Sequence, residues 1–493
     1  EDKDDVDDKV IECEISVKEK ALLTNETGVT IQYEGQESGI FTSDGGGLKA
    51  VGTSADPIQF LGTSENPGTW KGIYFGSDHP ENRLEYVVVK HAGRTASVQS
   101  GETGAVQLSR DDESKAALVN VTIEENEGYG LFVTDESELS EFADNTILGN
   151  TQAPVGIYFN QLGSLDANSN YQGNDDNFIE VRKNDIEDDE VTMPKVNVPY
   201  RFIESSRYDI AQSLTFSAGN TLELASGAGR RLGSPGTDCG ITTGALNATG
   251  TAEEPIIFRG VNEGRGSWLG IGFNSASPNN KLIYCEISGG GSGDFYNASD
   301  FAANVTLQCE SKVMIQNTII SESGGYGIYL LDEDAQLGQF TENTITDNEL
   351  SPVWLHFPQV DQLDAASAYA EGNGQMYIEV EGDGVEDADL TVKKLEVPYR
   401  MSPDGLGRET FVGKVLTIEP GVVMEFETSA GIILGSPGTD CGVPSGVFNA
   451  VGTAEEPIIL KGVTEGQGAW VGIGINSSSS DDKLIYCTLS GGG

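Results

Sequence analysis

The chain repeats itself at long range. The segment "GTAEEPIIFRG" at 250–260 returns as "GTAEEPIILKG" at 452–462, and a looser copy, "GTSADPIQFLG", occupies 52–62. Trp70, Trp268 and Trp470 follow the three copies at matching distances. "KLIYCEISGGG" at 281–291 is matched by "KLIYCTLSGGG" at 483–493 and by "RLEYVVVKHAG" at 83–93. "LGSPGTDCG" is identical at 232–240 and 434–442, and "VPYR" occurs at 198–201 and 397–400. The period is about 200 residues. Repeats of this kind bury their apolar faces against their neighbours. We therefore divide the chain into a first copy at 1–197, incomplete at its start, a second at 198–396 and a partial third at 397–493, expected to form one continuous solenoid. The opening "EDKDDVDDKV" and closing "LSGGG" read as the ends of a piece of a longer array.

A shorter period lies inside each copy. Asn120 and Asn145 are 25 residues apart, and Asn317 and Asn343 are 26 apart. Around them lie short β-branched or aromatic runs such as "AALVNVTI", "YGLFV", "VMIQNTII" and "PVWLHF", bounded by Gly, Asn, Asp or Ser. No long segment has the 3.6-residue apolar period of a helix. The pattern predicts an all-β chain, a right-handed parallel β-helix of roughly three strands per coil. Asn120, Asn145, Asn317 and Asn343 are its expected turn and ladder residues, because Asn tolerates left-handed backbone and its amide can bond the next coil. With coils about 4.8 Å apart, one copy would extend roughly 40 Å. The competing architecture is a string of antiparallel sandwiches. The copies lack the Pro-, Ser- or Gly-rich linkers that such a string needs, and the junctions "VTMPKVNVPYRF" and "LTVKKLEVPYRM" read as strands.

The residues "GTAEEPIIF", "GSWLGIGF", "NKLIYCEISGGG" and "NTIISESGGYGIYL" resemble secreted right-handed parallel β-helix repeat proteins of the pectate-lyase-like superfamily, in particular acidic multi-copy surface proteins. The resemblance covers nearly the whole chain. It implies the fold. It does not select an activity, because that superfamily includes lyases, hydrolases, epimerases, adhesins and passive spacers.

Charge narrows the partners. With 78 acidic and 29 basic residues the net charge is −49, which disfavours nucleic acid and anionic membranes. No apolar run is long enough to span a bilayer. Calcium is the cofactor such a surface suggests. The acidic turns "TDESE" (134–138) and "LDEDA" (331–335) are its candidate ligands, although their spacing matches no tight calcium motif.

Catalytic signals are weak. Lys195 with Arg201, and Lys394 with Arg400, would share a face if each pair lay on one strand, which is the arrangement for a base and a charge stabiliser. Both pairs fall at copy junctions, where repeated packing is expected. The three histidines, His79, His91 and His356, are read as surface or stacked polar residues, replaced elsewhere in the repeat, with Ser288 opposite His91. There is no HExxH, CxxC, GxSxG or phosphate loop. Trp70, Trp268 and Trp470 are read as repeat-packing aromatics rather than sugar platforms.

The six cysteines follow the copies: Cys13, then Cys239, Cys285 and Cys309, then Cys441 and Cys487. Copy one carries Val87 in place of Cys285. Cys285 and Cys309 are 24 residues apart, about one coil, which predicts a disulfide between them. Cys239–Cys285 is the rival pairing. Either leaves a thiol for an intermolecular bond, with Cys441 a second candidate. Sequons mark Asn25, Asn247, Asn297, Asn304 and Asn476 as glycosylation candidates, and Asn120 is a sixth whose turn role takes precedence.

Together these features predict a non-enzymatic extracellular β-solenoid, a segment of a cell-surface fibre or adhesin shaft that assembles head to tail. The alternative is a protein that binds or cleaves extracellular polysaccharide.

Overall fold

A computed structural model describes residues 9–93, 101–108, 114–186, 190–205, 207–232, 244–293, 302–385, 388–405, 407, 409–435, 446–477 and 479–493. The chain forms two compact units. The first comprises Glu1–Glu204 and Leu214–Glu223, and the second comprises Ser205–Ser213 and Leu224–Gly493.

In the first unit the strands rotate through three sheets in strict succession as far as Val155–Tyr158. Lys9–Ile11, Glu14–Val17 and Leu22–Asn25 each enter a different sheet, and Thr30–Tyr33, Gly39–Thr42 and Gly47–Val51 then stack on them in the same order. Every described pairing is parallel, as in Ile40↔Ile73 and Ile123↔Ile147. That strand order is the one a parallel β-helix requires, and antiparallel sandwiches are excluded. In the second unit the same rotation runs from Ile256–Gly260 to Val353–His356, with pairings such as Ile287↔Ile320 and Val305↔Ile328.

The core is the stack of inward side chains. Ile40, Ile73, Val106, Leu131, Val155 and Ile179 are at or near zero exposure on one face of the first unit. In the second, Ile271, Val305, Ile328, Val353 and Ile378 do the same. A buried Val, Ile or Leu side chain is worth about 1.5–3 kcal/mol, so these rows hold neighbouring coils in register. Left-handed residues bracket one strand in three successive coils of the first unit. Tyr86, Asn120 and Asp144 (φ 49°, 52° and 54°) precede it, and His91, Glu125 and Gly149 (φ 62°, 59° and 65°) follow it.

Coil length is not constant. Ile123 and Ile147 are stacked at a 24-residue spacing, whereas Val89 and Ile123 are stacked at 34. The sheets also change role near the end of a copy. In the second unit, Val353–His356 lies mid-coil and is followed by the 3-10 turn Phe357–Gln362 in place of a third strand. Ile378–Glu381 and Tyr399–Met401 then stack on it in turn, and Val423–Phe426, which opens the next coil, stacks on them. The "VPYR" motif is the strand at which this hand-over occurs. The junction segments are not continuous strands: pairing is confined to Val191–Met193 and Tyr200–Phe202, and to Leu390–Val392 and Tyr399–Met401. Lys195 and Lys394 fall in the gaps, so neither shares a strand face with its arginine.

No helix among the described residues is long and apolar enough to cross a membrane.

Candidate functional site

Outward side chains of one sheet form a row in each unit. In the first unit, register partners place Phe41, Tyr74, Gln107, Phe132, Gly156, Glu180 and Arg201 in line. In the second, the row runs Gly272, Thr306, Tyr329, Trp354, Glu379, Arg400, Glu425 and Lys461. Each row passes from aromatic to alternately charged residues. Neighbouring side chains in a parallel row are about 4.8 Å apart, close enough for direct pairing.

The charged end of each row pairs internally. Arg201 donates twice to Glu223, at 2.8 and 2.7 Å, and its guanidinium lies 3.7 Å above the Phe178 ring. Arg400 repeats the arrangement with Glu425 at 2.8 Å and the Tyr377 ring at 3.6 Å. Lys461 reaches the other Glu425 oxygen at 3.3 Å. Burial alone would raise the Glu425 carboxyl, but Arg400 and Lys461 outweigh it and hold the group below its ordinary range. Glu379 is raised by burial, even though the Tyr326 hydroxyl (3.2 Å) and the Ser351 hydroxyl (3.3 Å) donate to it. The arginines of both junction motifs are thus ion-paired, and Lys394 is engaged by Glu456 at 2.6 Å.

At the end of the second row stands a different constellation. His356 lies opposite Glu381 in the strand register, and its Nδ1 hydrogen-bonds the carboxylate of Asp383. The other ring nitrogen, Nε2, is 3.2 Å from the Leu331 carbonyl, to which it donates. One ligand-type atom from each of His356, Glu381 and Asp383 lies within 4.8 Å of the others. The His356 ring is edge-on to Trp354, and its side chain is 12% exposed. Burial would lower its pKa, but Asp383, the Leu331 carbonyl and Glu381 outweigh it and raise the value above the ordinary imidazole range. Burial pushes Glu381 upward, and the nearby Asp383 and Asp404 add to this against the opposing effect of His356.

The tryptophans read from the repeat lie inside. Trp70, Trp268 and Trp470 are 0%, 0% and 2% exposed, and their indole N–H groups donate to the carbonyls of Lys90, Ser288 and Ser490 at 2.7–2.8 Å. Trp70 stacks on Tyr33 and Trp470 on Phe426, each at 4.2 Å between ring centres. The equivalence of these bonds places Gly289, not Ser288, opposite His91. Both are left-handed (φ 76° and 62°), which explains how a glycine and a histidine exchange there.

The asparagines divide. Asn145 and Asn343 accept from the backbone N–H groups of Val121 and Thr318 in the preceding coil, at 2.9 and 3.1 Å. Asn120 and Asn317 serve through left-handed backbone, at φ 52° and 50°. The continuous amide ladder lies elsewhere: Asn126 donates to Asn150 at 2.9 Å, Asn150 to Asn174 at 2.8 Å, and Asn348 to Asn373 at 2.9 Å. Its 24-residue spacing in the first copy was a readable signal.

The disulfide expected between Cys285 and Cys309 does not form. Cys13, Cys285 and Cys487 carry free thiols, whereas Cys309 is disulfide-bonded. The rival Cys239–Cys285 pairing is excluded with it. The residue stacked on Cys285 is Thr318, whose hydroxyl accepts the Cys285 N–H at 3.3 Å. This coil is therefore 33 residues long, and Cys309 lies in a turn on another side of it. Cys285 instead fills the core position held by Val87 in the first copy, and burial pushes its thiol far above the ordinary value. Cys239 and Cys441 lie outside the described residues.

Of the sequons, Asn304 is fully buried. Its amide accepts from Gly290 and donates to Ser321, so it has no room for a glycan. Asn25, Asn247 and Asn476 are half-buried, and Asn297 lies outside the described residues. In the acidic turn 331–335, Gln359 Nε2 contacts the carbonyls of Asp332, Glu333 and Ala335 at 2.8–3.1 Å. The Asp332 carboxylate accepts the Cys309 N–H at 2.6 Å. Those oxygens are used by protein donors. His79 is half-buried, with its Nδ1 accepting from the Glu81 N–H at 3.1 Å.

No protein-family model, curated protein or solved structure matches this chain.

Proposed function

We propose that this chain is a structural segment of an extracellular parallel β-helix, a shaft element of a surface fibre or adhesin, of the secreted pectate-lyase-like type its repeats resemble. The observation that carries this reading is the repetition of self-paired charge: Arg201–Glu223 and Arg400–Glu425, each under an aromatic ring, recur at the same point of successive copies. A shaft needs each copy to satisfy its own charges, and these pairs do so. The disulfide at Cys309 fits an oxidising compartment.

Head-to-tail stacking is part of the proposal. An uncovered end of a parallel β-helix leaves backbone groups unpaired, and a further strand can add there. Electron microscopy of the purified protein tests this. Rods that lengthen with concentration support it, and uniform single rods at all concentrations overturn the assembly.

One observation favours polysaccharide binding as the second reading. Phe41 and Tyr74 are half-buried and stack at 4.5 Å on the outward row, with Lys71 Nζ 6.0 Å from the Phe41 ring. A half-buried aromatic pair beside a cation, one that Glu37 and Glu14 also approach at 2.9 and 3.4 Å, suits a sugar ring. Retention on pectin or alginate that is lost in Phe41→Ala/Tyr74→Ala would shift the assignment to this reading.

A further inference from the structure

The two copies differ at one place in a concerted way. In the first unit, Tyr158 and Arg182 are register partners, and Asn184 Oδ1 accepts the backbone N–H of Asn160 at 3.0 Å. In the second unit the corresponding residues are His356, Glu381 and Asp383, with Pro358 in place of Asn160.

Each change has a physical consequence. Proline has no N–H, so the side chain at 383 loses the partner that its counterpart uses, and Asp383 turns to His356 instead. The cation of the first copy is also gone. Arg182 pairs with Glu180 and Glu102, both at 2.8 Å, and a carboxylate stands in its place at 381. The result is two carboxylates around one imidazole, with Asp404 adding further negative charge near Glu381. Even a protonated His356 cannot neutralise both Glu381 and Asp383.

We infer that His356 Nδ1, Glu381 and Asp383 form a binding site for a divalent transition-metal ion of the zinc class. Ligand atoms within 4.8 Å of one another need only small side-chain rotations to converge on a single ion at about 2.0–2.2 Å from each. Imidazole with carboxylates selects first-row transition metals over calcium and magnesium. The supporting contact is already in place. Nε2–H donates to the Leu331 carbonyl at 3.2 Å, which fixes the ring and leaves Nδ1 facing the carboxylates. Metal-bound histidines are oriented in this way, with the second nitrogen tied to a carbonyl or carboxylate. The metal takes the place of the Nδ1 proton, and water completes the coordination. The site ties the strand Val353–His356 to the segment following Ile378–Glu381 within one copy.

The test uses the full chain with Zn(II) and Co(II) as probes. Excess calcium and magnesium occupy the general acidic surface. Isothermal titration should give one zinc equivalent per chain above background, and the visible d–d band of Co(II) should shift and intensify relative to the free aqua ion. His356→Tyr/Glu381→Arg/Asp383→Asn carries the first copy's residues and should bind at least about 100-fold more weakly, by extension from the loss seen when supporting groups of metal ligands are removed. Asp383→Asn alone, nearly isosteric, guards against misfolding of the triple variant and should lose at least about tenfold. Equal stoichiometry and affinity in the wild type and Asp383→Asn, or a Co(II) spectrum unchanged from that of the free aqua ion, would leave only a His356–Asp383 ion pair and overturn the site.

Discussion

The side-chain amide of Asn150 donates to Oδ1 of Asn174 at 2.8 Å, and its own Oδ1 accepts from Asn126 at 2.9 Å. One residue thereby joins three successive coils while fully buried. Asn150→Ala leaves the Asn126 amide and the Ile123 carbonyl without this partner. Unpaired buried groups cost about 1–3 kcal/mol each. Chemical denaturation monitored by circular dichroism should show a loss of that order, and Asn348→Ala should match it in the second unit. No change in either would mean that ordered water replaces the amide.

All four tryptophans are buried, with exposures of 0%, 0%, 8% and 2% for Trp70, Trp268, Trp354 and Trp470. Iodide should therefore quench the folded protein's fluorescence weakly and the denatured protein's strongly. Trp268→Ala should destabilise by about 3–5 kcal/mol, as expected for a buried aromatic. Strong quenching in the folded state would contradict interior placement.

The Glu425 carboxyl has a folded-state pKa below its unfolded one, because Arg400 and Lys461 favour its charged form over the cost of burial. Its contribution to stability is complete above the unfolded value and is lost as pH falls through the folded one. Stability should decline on acidification below about pH 4.5. Glu425→Gln should flatten part of that decline, measured as melting temperature against pH. An unchanged slope would show that the pair is too solvated to matter.

Thiol labelling distinguishes the cysteines. Cys13 is exposed and should react in the native protein, while Cys285 is buried with a raised pKa and should react only after denaturation. Cys309 should require reduction as well. Native labelling of Cys285, or labelling of Cys309 without reductant, would refute the assignment.

The fold was legible because repetition acts at two scales. A long period with short β-branched runs leaves few ways to bury apolar surface, and parallel stacking is the one that keeps every copy equivalent. Turn asparagines were legible too, since left-handed backbone selects their residue type locally, as at Asn120 and Asn317. Cysteine pairing was not. Spacing along the chain measures one coil only if coils have equal length, and the coil after Cys285 is 33 residues, so Thr318 stacks on it instead.

What the sequence alone determined, then, was the class of fold and the backbone roles that depend on a residue's own conformational limits. The tertiary structure decided which side chains meet. Arg400 reaches Glu425 and His356 reaches Asp383 because parallel stacking juxtaposes residues 25 and 27 positions apart. The offsets of such contacts vary with every turn insertion and with the replacement of a strand by the 3-10 turn at Phe357–Gln362. Side-chain chemistry depends on distance in space, and in this chain coil length is the variable that separates it from distance along the sequence.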